Sequence, residues 1–511
     1  AAAITTGGAK VDTLTVNAEG KASNVQLNDV GGATDTIKTL NVTGKANLTL
    51  DANSTANTAI TTVDASAARG NIKLSGTSAT VKTIKTGTGN DSVDLGATVV
   101  AAGTTIDLGA GNDKLIGSAA VTTSSLTVID GGAGIDSVNT ALINSGNAGQ
   151  FVNFETISIT TGSTLATALD LDLVTKSTIT SLALDANVTA TVRNVKTSQS
   201  LTVNSASTST TLVFKDVTGT ADAYKINFDA TNAAGIDAGT VVVDGIETVT
   251  VNSSAKIVAG ANEIDLTGST AKTLVVEGNS DLILTFNTTF GANSAAANDG
   301  LGVATIDASA LTAGLKIATG ELAKIGTAEK GLTIKGGSGD DNIVTGAYTK
   351  DITIETGAGN DTINLTAATG KVVVNAGAGN DILTVGAVGG TFTLGAGNDK
   401  IDVTLAKGVT ALTTITDAAK GDTITGLTAA AGDLFAKASI TGANNLDAAL
   451  GLAATANATT WFQYAGDTYI VDSATGTLAA GTDFVVKLNG LVDLGNSSLD
   501  VSGGVGSITI A

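Results

Sequence analysis

One eight-residue pattern, x-Gly-x-Gly-x-Asp-x-apolar, recurs seven times in this 511-residue chain and limits what it can fold into. The copies are Thr86-Gly-Thr-Gly-Asn-Asp-Ser-Val93, Leu108-Gly-Ala-Gly-Asn-Asp-Lys-Leu115, Gly131-Gly-Ala-Gly-Ile-Asp-Ser-Val138, Gly336-Gly-Ser-Gly-Asp-Asp-Asn-Ile343, Thr356-Gly-Ala-Gly-Asn-Asp-Thr-Ile363, Ala376-Gly-Ala-Gly-Asn-Asp-Ile-Leu383 and Leu394-Gly-Ala-Gly-Asn-Asp-Lys-Ile401. Their aspartates, at 91, 113 and 136 and then at 341, 361, 381 and 399, step by 22 and 23 residues and by 20, 20 and 18. A chain that returns so regularly to one loop chemistry, with β-forming residues between the loops, reads as a stack of coils.

Each position in the pattern has a physical use. Glycines Gly87, Gly89, Gly109, Gly111, Gly132, Gly134, Gly337, Gly339, Gly357, Gly359, Gly377, Gly379, Gly395 and Gly397 let neighbouring backbones approach and turn their carbonyls towards one point. The aspartate adds a charged oxygen, and the apolar residue two places later points inward from the strand that follows. Asn90, Asn112, Asp340, Asn360, Asn380 and Asn398, one place before each aspartate, offer a further side-chain oxygen. Coils of a parallel solenoid stack about 4.8 Å apart. A calcium ion, which takes six to eight oxygens at about 2.4 Å, fits between two stacked loops.

The opposite side of each coil, for example Ala367-Ala-Thr-Gly370, carries ordinary turn residues. One ion column per cluster is therefore expected, with about two ions in the three-loop cluster and about three in the four-loop cluster. Other glycine motifs fit less well. A dinucleotide loop occurs once, between a strand and a helix; a phosphate loop ends in Gly-Lys-Ser/Thr; an EF-hand needs flanking helices and a terminal Glu. Asx turns that never bind metal would leave the stacked carboxylates repelling one another.

Composition narrows the chemistry further. Proline, cysteine, methionine and histidine are all absent, which excludes disulfides, zinc fingers, haem ligation, thiol nucleophiles and a Ser-His-Asp triad. Oxygen-only metal sites remain, and these favour calcium and magnesium. With 27 basic and 47 acidic residues the net charge is −20, opposite to what a nucleic acid or an anionic membrane attracts. No apolar run reaches the length of a membrane helix, so no membrane insertion is expected. The chain begins at Ala1 without an initiator methionine or a basic-then-apolar leader, so it is expected to start inside a longer precursor or after processing.

Between the loops the texture is alternation, as in Val11-Asp-Thr-Leu-Thr-Val16 and Asp351-Ile-Thr-Ile-Glu355. One window, Asn445 to Ala456, has helical spacing behind Asn444 and Asn445 as caps. Two phrases recur. Lys38-Thr-Leu-Asn-Val-Thr-Gly44 returns as Lys272-Thr-Leu-Val-Val-Glu-Gly278 (272 − 38 = 234), and Val63-Asp-Ala-Ser-Ala67 as Ile306-Asp-Ala-Ser-Ala310 (306 − 63 = 243). The expected fold is all-β: right-handed parallel β-solenoid or β-roll modules, with a small β-rich C-terminal cap containing one short helix. The division is residues 1–145, ending in the first cluster (86–139); intermediate rungs over 146–260; 261–427, ending in the second cluster (336–402); and the cap over 428–511. Phe435, Trp461, Phe462, Tyr464, Tyr469 and Phe484 supply that cap's core around a hairpin turn at Ala465-Gly-Asp467.

The seven loops resemble RTX (haemolysin-type) calcium repeats, and Ile415-Thr-Asp-Ala-Ala-Lys-Gly-Asp-Thr-Ile424 looks like the phrase that closes such arrays. Phe154-Glu-Thr, Gly245-Ile-Glu-Thr-Val249, Ile306-Asp-Ala-Ser-Ala310, Trp461-Phe-Gln-Tyr-Ala-Gly-Asp-Thr-Tyr-Ile-Val471 and Val486-Lys-Leu-Asn-Gly-Leu-Val492 resemble, in that order, the C-terminal two-thirds of Caulobacter-type surface-layer (S-layer) proteins. The resemblance implies a secreted, extracellular structural protein that self-assembles into a calcium-dependent planar lattice on a Gram-negative cell. Export would use type I secretion machinery, through an uncleaved signal in about the last sixty residues. Attachment to lipopolysaccharide would use an N-terminal domain absent from this chain. It also makes Asp91, Asp113, Asp136, Asp341, Asp361, Asp381 and Asp399 calcium ligands, with Asp130, Asp417 and Asp422 as possible additions. Five loops depart from the family pattern at their first position, Thr86, Leu108, Thr356, Ala376 and Leu394, which leaves a carbonyl ligand intact, and Ile135 replaces the usual Asn or Asp.

Two rivals stand beside a non-enzymatic lattice protein. One is a secreted RTX adhesin without a lattice. The other is a calcium-dependent polysaccharide lyase or epimerase, which needs a base near a uronate and cations to hold its carboxylate. With no histidine and only Arg69 and Arg193 as arginines, lysine or tyrosine would have to serve, and no such constellation stands apart from the repeats.

Overall fold

The structure is a computed structural model that describes residues 2–5, 11–28, 37–52, 57–97, 100, 102–121, 127–160, 168–229, 234–256, 260–288, 290–291, 303–325, 331–428, 433–479, 481–502 and 505–511. Short strands, parallel from coil to coil, build a β-solenoid. The chain divides into two compact units, Ala1–Asp216 and Val217–Ala511, a boundary that falls inside the rungs expected over 146–260.

In the first unit alternate strands fall on different faces of the coil. One face begins Ala2–Thr5, Ser23–Asn28, Leu48–Asp51, Ile72–Ser75, Ser92–Asp94, Lys114–Ile116 and Ser137–Asn139; another runs Thr13–Ala18, Thr39–Gly44, Thr62–Ala68, Thr83–Lys85, Thr105–Asp107 and Val128–Asp130. Period-2 alternation turns every second side chain inward, and parallel pairing stacks like on like, with one register shift between Thr39–Gly44 and Thr62–Ala68. Leu14, Leu40, Val63, Ile84, Ile106, Ile129 and Phe151 follow one another in register, one per coil. Leu50, Leu74, Val93, Leu115, Val138, Ile157, Leu182 and Leu201 do the same on the other face. Each such side chain contributes about 1.5–3 kcal/mol on burial, so the core is a column that grows with every coil.

The second unit repeats the arrangement. Leu274, Ile306, Ile334, Ile354, Val374, Phe392 and Ile415 form one apolar column, and Leu284, Ile317, Ile343, Ile363, Leu383, Ile401 and Ile424 another. The recurring phrases occupy matching places. Thr39–Gly44 and Thr273–Gly278 share one burial pattern, and each pairs with a bulged strand, Thr62–Ala68 or Thr305–Leu311. In both bulged strands an aspartate, Asp64 or Asp307, accepts from the backbone N–H and hydroxyl of a serine two residues on, at 3.0 and 2.6 Å.

The tail pairs with the last coil. Phe484–Leu488 lies parallel to Gly408–Ile415, while Gly506–Thr509 runs antiparallel to Thr423–Leu427. The expected hairpin joins Ala458–Tyr464 to Asp467–Ser473 through Ala465 (φ 53°) and Gly466 (φ 95°), the type I′ pair of positive φ angles. The expected helix spans Leu446–Ala453, with the Asn445 side chain accepting from the Ala448 N–H at 2.8 Å. It packs on stacked Phe462 and Tyr469, whose ring centroids are 5.2 Å apart. A second, one-turn helix, Glu321–Lys324, carries no sequence signal long enough to announce it. Among the described residues no helix is long and apolar enough to cross a membrane.

Candidate metal centre

Every glycine–aspartate loop joins a strand of one face to a strand of the next. Thr105–Asp107 leads through Leu108 to Asp113 into Lys114–Ile116, and Ile352–Glu355 leads through Thr356 to Asp361 into Thr362–Asn364. Stacked strands therefore stack the loops, and parallel bridges Ala110↔Ala133, Ala358↔Ala378 and Ala378↔Ala396 hold them in register. Glycine is required at the contact. A Cβ added at Gly134 would collide with the Gly111 carbonyl oxygen, and one at Gly397 with that of Gly379.

The aspartates form a ladder that the pattern alone does not reveal. Oδ1 of each accepts the backbone N–H of the aspartate one coil earlier: Asp113 from Asp91 at 2.6 Å and Asp136 from Asp113 at 2.7 Å. In the second array Asp361, Asp381 and Asp399 accept from Asp341, Asp361 and Asp381, each at 2.8 Å. Each ladder starts on a coil without a loop of this type, where Asp91 accepts from the Ile72 N–H and Asp341 from that of Leu315, both at 2.6 Å.

The second carboxylate oxygen divides the loops into two kinds. In the first loop of each array it accepts from that loop's own glycine, Gly87 N–H at 3.0 Å for Asp91 and Gly337 N–H at 3.3 Å for Asp341. In the five later loops Oδ2 of Asp113, Asp136, Asp361, Asp381 and Asp399 is buried and has no hydrogen-bond partner among the described residues. All seven aspartates are 0–2 % exposed. A buried, unpaired carboxylate oxygen is among the costlier groups to leave unsatisfied.

The titration behaviour follows. Burial pushes the carboxyls of Asp113 and Asp341 up to about 7 and those of Asp136 and Asp381 up to about 6, with neighbouring carboxylates adding to the rise. Asp91, Asp361, Asp399 and Asp422 are raised by the same burial. The backbone N–H bonds act in the opposite direction and only partly offset it, as do the Thr86 and Thr356 hydroxyls beside Asp91 and Asp361. Those hydroxyl protons are directed to the carbonyls of Leu108 and Ala376 and so leave Asp361 Oδ2 without a donor. The charged groups that act on these carboxyls are other carboxylates.

Among the described residues no three carboxylates converge on one point. A cation beside one of the unpaired oxygens would take most of its ligands from backbone carbonyls, which suits a hard, oxygen-seeking ion. The loop carbonyls of Gly87 and Gly109 each accept one N–H, from Ala110 at 2.8 Å and Ala133 at 2.9 Å, and keep a second lone pair.

The neighbouring positions also bond along the stack. Asn90, Asn112, Asp340, Asn360 and Asn380 each turn Oδ1 to the backbone N–H one coil later, at 2.7–3.0 Å, and so stitch the loops together. This ladder reaches back to Asn71 and Asn47, which lie before the first glycine loop and carry no motif. At the far ends Glu155 Oε2 accepts from the Asp136 N–H at 2.9 Å and Asp422 Oδ1 from the Asp399 N–H at 3.1 Å. Glu155 stands 155 − 136 = 19 residues after Asp136, within the coil period, so spacing could have found it. Of the additional acidic residues, Asp417 accepts from Leu394 and Gly395 N–H with its two oxygens, Asp422 accepts from Ala419 N–H with its second oxygen, and Asp130 accepts from Gly132 N–H and the Asn153 side chain.

Fold and loops together define a parallel β-solenoid that carries two glycine–aspartate columns. No protein-family model matches the chain, and no curated protein matches it.

Proposed function

We propose that the chain is a calcium-loaded structural protein of an extracellular surface layer, and not an enzyme. The observation that supports it most is the set of five buried, unpaired carboxylate oxygens between stacked glycine loops. Calcium between neighbouring loops would return the charge that burial disfavours, with Asp113, Asp136, Asp361, Asp381 and Asp399 as its acidic ligands and loop carbonyls completing the shell. Ions that bind the ordered coils and not the unfolded chain stabilise the fold by RT ln(1 + [Ca²⁺]/Kd), about 2.7 kcal/mol per site at 100 Kd. At low calcium the chain would stay loose enough for type I export; outside the cell it would fold and associate into a planar array. Lattice, export route and attachment to lipopolysaccharide rest on the order of surface-layer phrases in the sequence.

The test is far-UV circular dichroism and electron microscopy of the purified chain with calcium and with a chelator. Calcium-dependent β-signal and ordered sheets are expected. Equal folding and assembly in both conditions would overturn the reading, whereas calcium-dependent folding without sheets would leave a secreted, non-lattice binding protein.

A further inference from the structure

Seven loops share one sequence pattern, yet the first of each array is built differently. Gly109, Gly132, Gly357, Gly377 and Gly395 have φ between 85° and 103°. Their counterparts Gly87 and Gly337 lie outside the left-handed range, and each instead donates its N–H to the loop's own aspartate. Oδ1 of the same aspartate takes the N–H of Ile72 or Leu315 from a coil that has no glycine–aspartate loop. Both oxygens of Asp91 and both of Asp341 are thereby hydrogen-bonded inside the protein. The neighbouring backbone at Gly70 and Ala313 packs so closely on Gly89 and Gly339 that a Cβ at either position would collide with it.

We propose that the first loop of each array is an ion-free terminator: Asp91 and Asp341 close the columns structurally, and ions sit only in the gaps bounded by Asp113, Asp136, Asp361, Asp381 and Asp399. This inference rests on the reading of the arrays as calcium sites. The carboxylate of each of these five reaches back to the N–H of the preceding loop, so its unpaired oxygen belongs to the gap between two loops. The first loop lends the first gap its backbone and no side chain. At the far end of the second array Asp422, with both oxygens occupied, closes that column in the same way.

The experiment is native mass spectrometry of the full chain at a calcium concentration that just saturates the wild type, with folding followed by circular dichroism. Asp113→Asn and Asp361→Asn are each expected to lose one ion, and Asp91→Asn and Asp341→Asn none. Loss of one ion from Asp91→Asn or Asp341→Asn overturns the proposal. A wild type that binds no calcium overturns it together with the reading on which it rests. Should the Asp91 and Asp341 variants fail to fold, anomalous scattering from lanthanide-soaked wild-type crystals decides. Peaks beside the five unpaired oxygens and none between Asp91 and Ile72 or Asp341 and Leu315 support the terminators; a peak at either of those positions sinks them.

Discussion

The backbone N–H of Asp91 donates to Oδ1 of Asp113, 22 residues on, at 2.6 Å. One contact thus joins two coils and fixes the carboxylate with its other oxygen buried and unpaired. Replacing Asp113 by Asn keeps an acceptor for that N–H and removes the charge. In a chelator Asp113→Asn is expected to melt a few degrees above the wild type, because the buried charge is gone. In saturating calcium it is expected to melt below the wild type, because an acidic ligand is gone. Differential scanning calorimetry under both conditions checks the reversal.

The pH dependence should reverse in the same way. Asp113 and Asp341 titrate near 7 in the folded chain against an ordinary value of 3.8, so between these limits the folded state holds more protons than the unfolded state. Stability of the calcium-free fold must then fall as pH rises from about 4 to about 7. On the proposed calcium reading protons compete with calcium at Asp113, so calcium affinity there should rise over the same interval. Thermal unfolding at pH 5 and pH 8, with chelator and with calcium, should give opposite trends.

Core columns and outer face should respond differently to truncation. Phe392 is fully buried between Val374 and Ile415, and Phe392→Ala is expected to cost about 3–5 kcal/mol. Ile382 is 47 % exposed in the preceding strand, Ile382–Thr384, and Ile382→Ala should change stability by no more than about 0.5 kcal/mol. Denaturant midpoints in calcium measure both.

Two glycines give the complementary contrast. Gly397 has φ 149° and no room for a methyl group against the Gly379 carbonyl, so Gly397→Ala should destabilise the second array and weaken its calcium binding. Gly451, inside the helix Leu446–Ala453, has nothing within 4 Å of an added Cβ, and Gly451→Ala should stabilise the tail by about 0.5–1 kcal/mol. Titration calorimetry and thermal melts separate the two effects.

Much of the solenoid is legible in the sequence because its coils are nearly uniform. An inward residue such as Ile354 has an inward neighbour one coil before and after it, so alternation and period suffice. The hairpin and helix of the tail are legible for local reasons, a tight turn at Gly466 and a capping Asn445. What escapes is set by context. Asp91 and Asp113 occupy identical motifs, and they differ because the coil before Asp91 ends in Gly70-Asn71-Ile72 instead of a glycine–aspartate loop. Asn47 joins its ladder only through the stacking of distant segments, which no local window contains, and Glu155, although one coil period from Asp136, lacks the glycines that would mark its loop.

The two side-chain ladders run in opposite senses. Aspartate 361 receives from the coil before it, whereas Asp340 receives from the coil after it. Each boundary between coils is therefore closed by the same reciprocal pair, and nothing in the pair identifies which coil it belongs to. Removing residues 356–375 would join Glu355 to Ala376, set Asp381 against the Asp341 N–H and Asn380 against Asp340, and leave the apolar columns one member shorter. Array length is thus a free variable of this architecture, adjustable by whole-coil gain or loss. If the arrays bind calcium as proposed, a lineage could tune how much the protein holds by copy number alone, without inventing a new ligand.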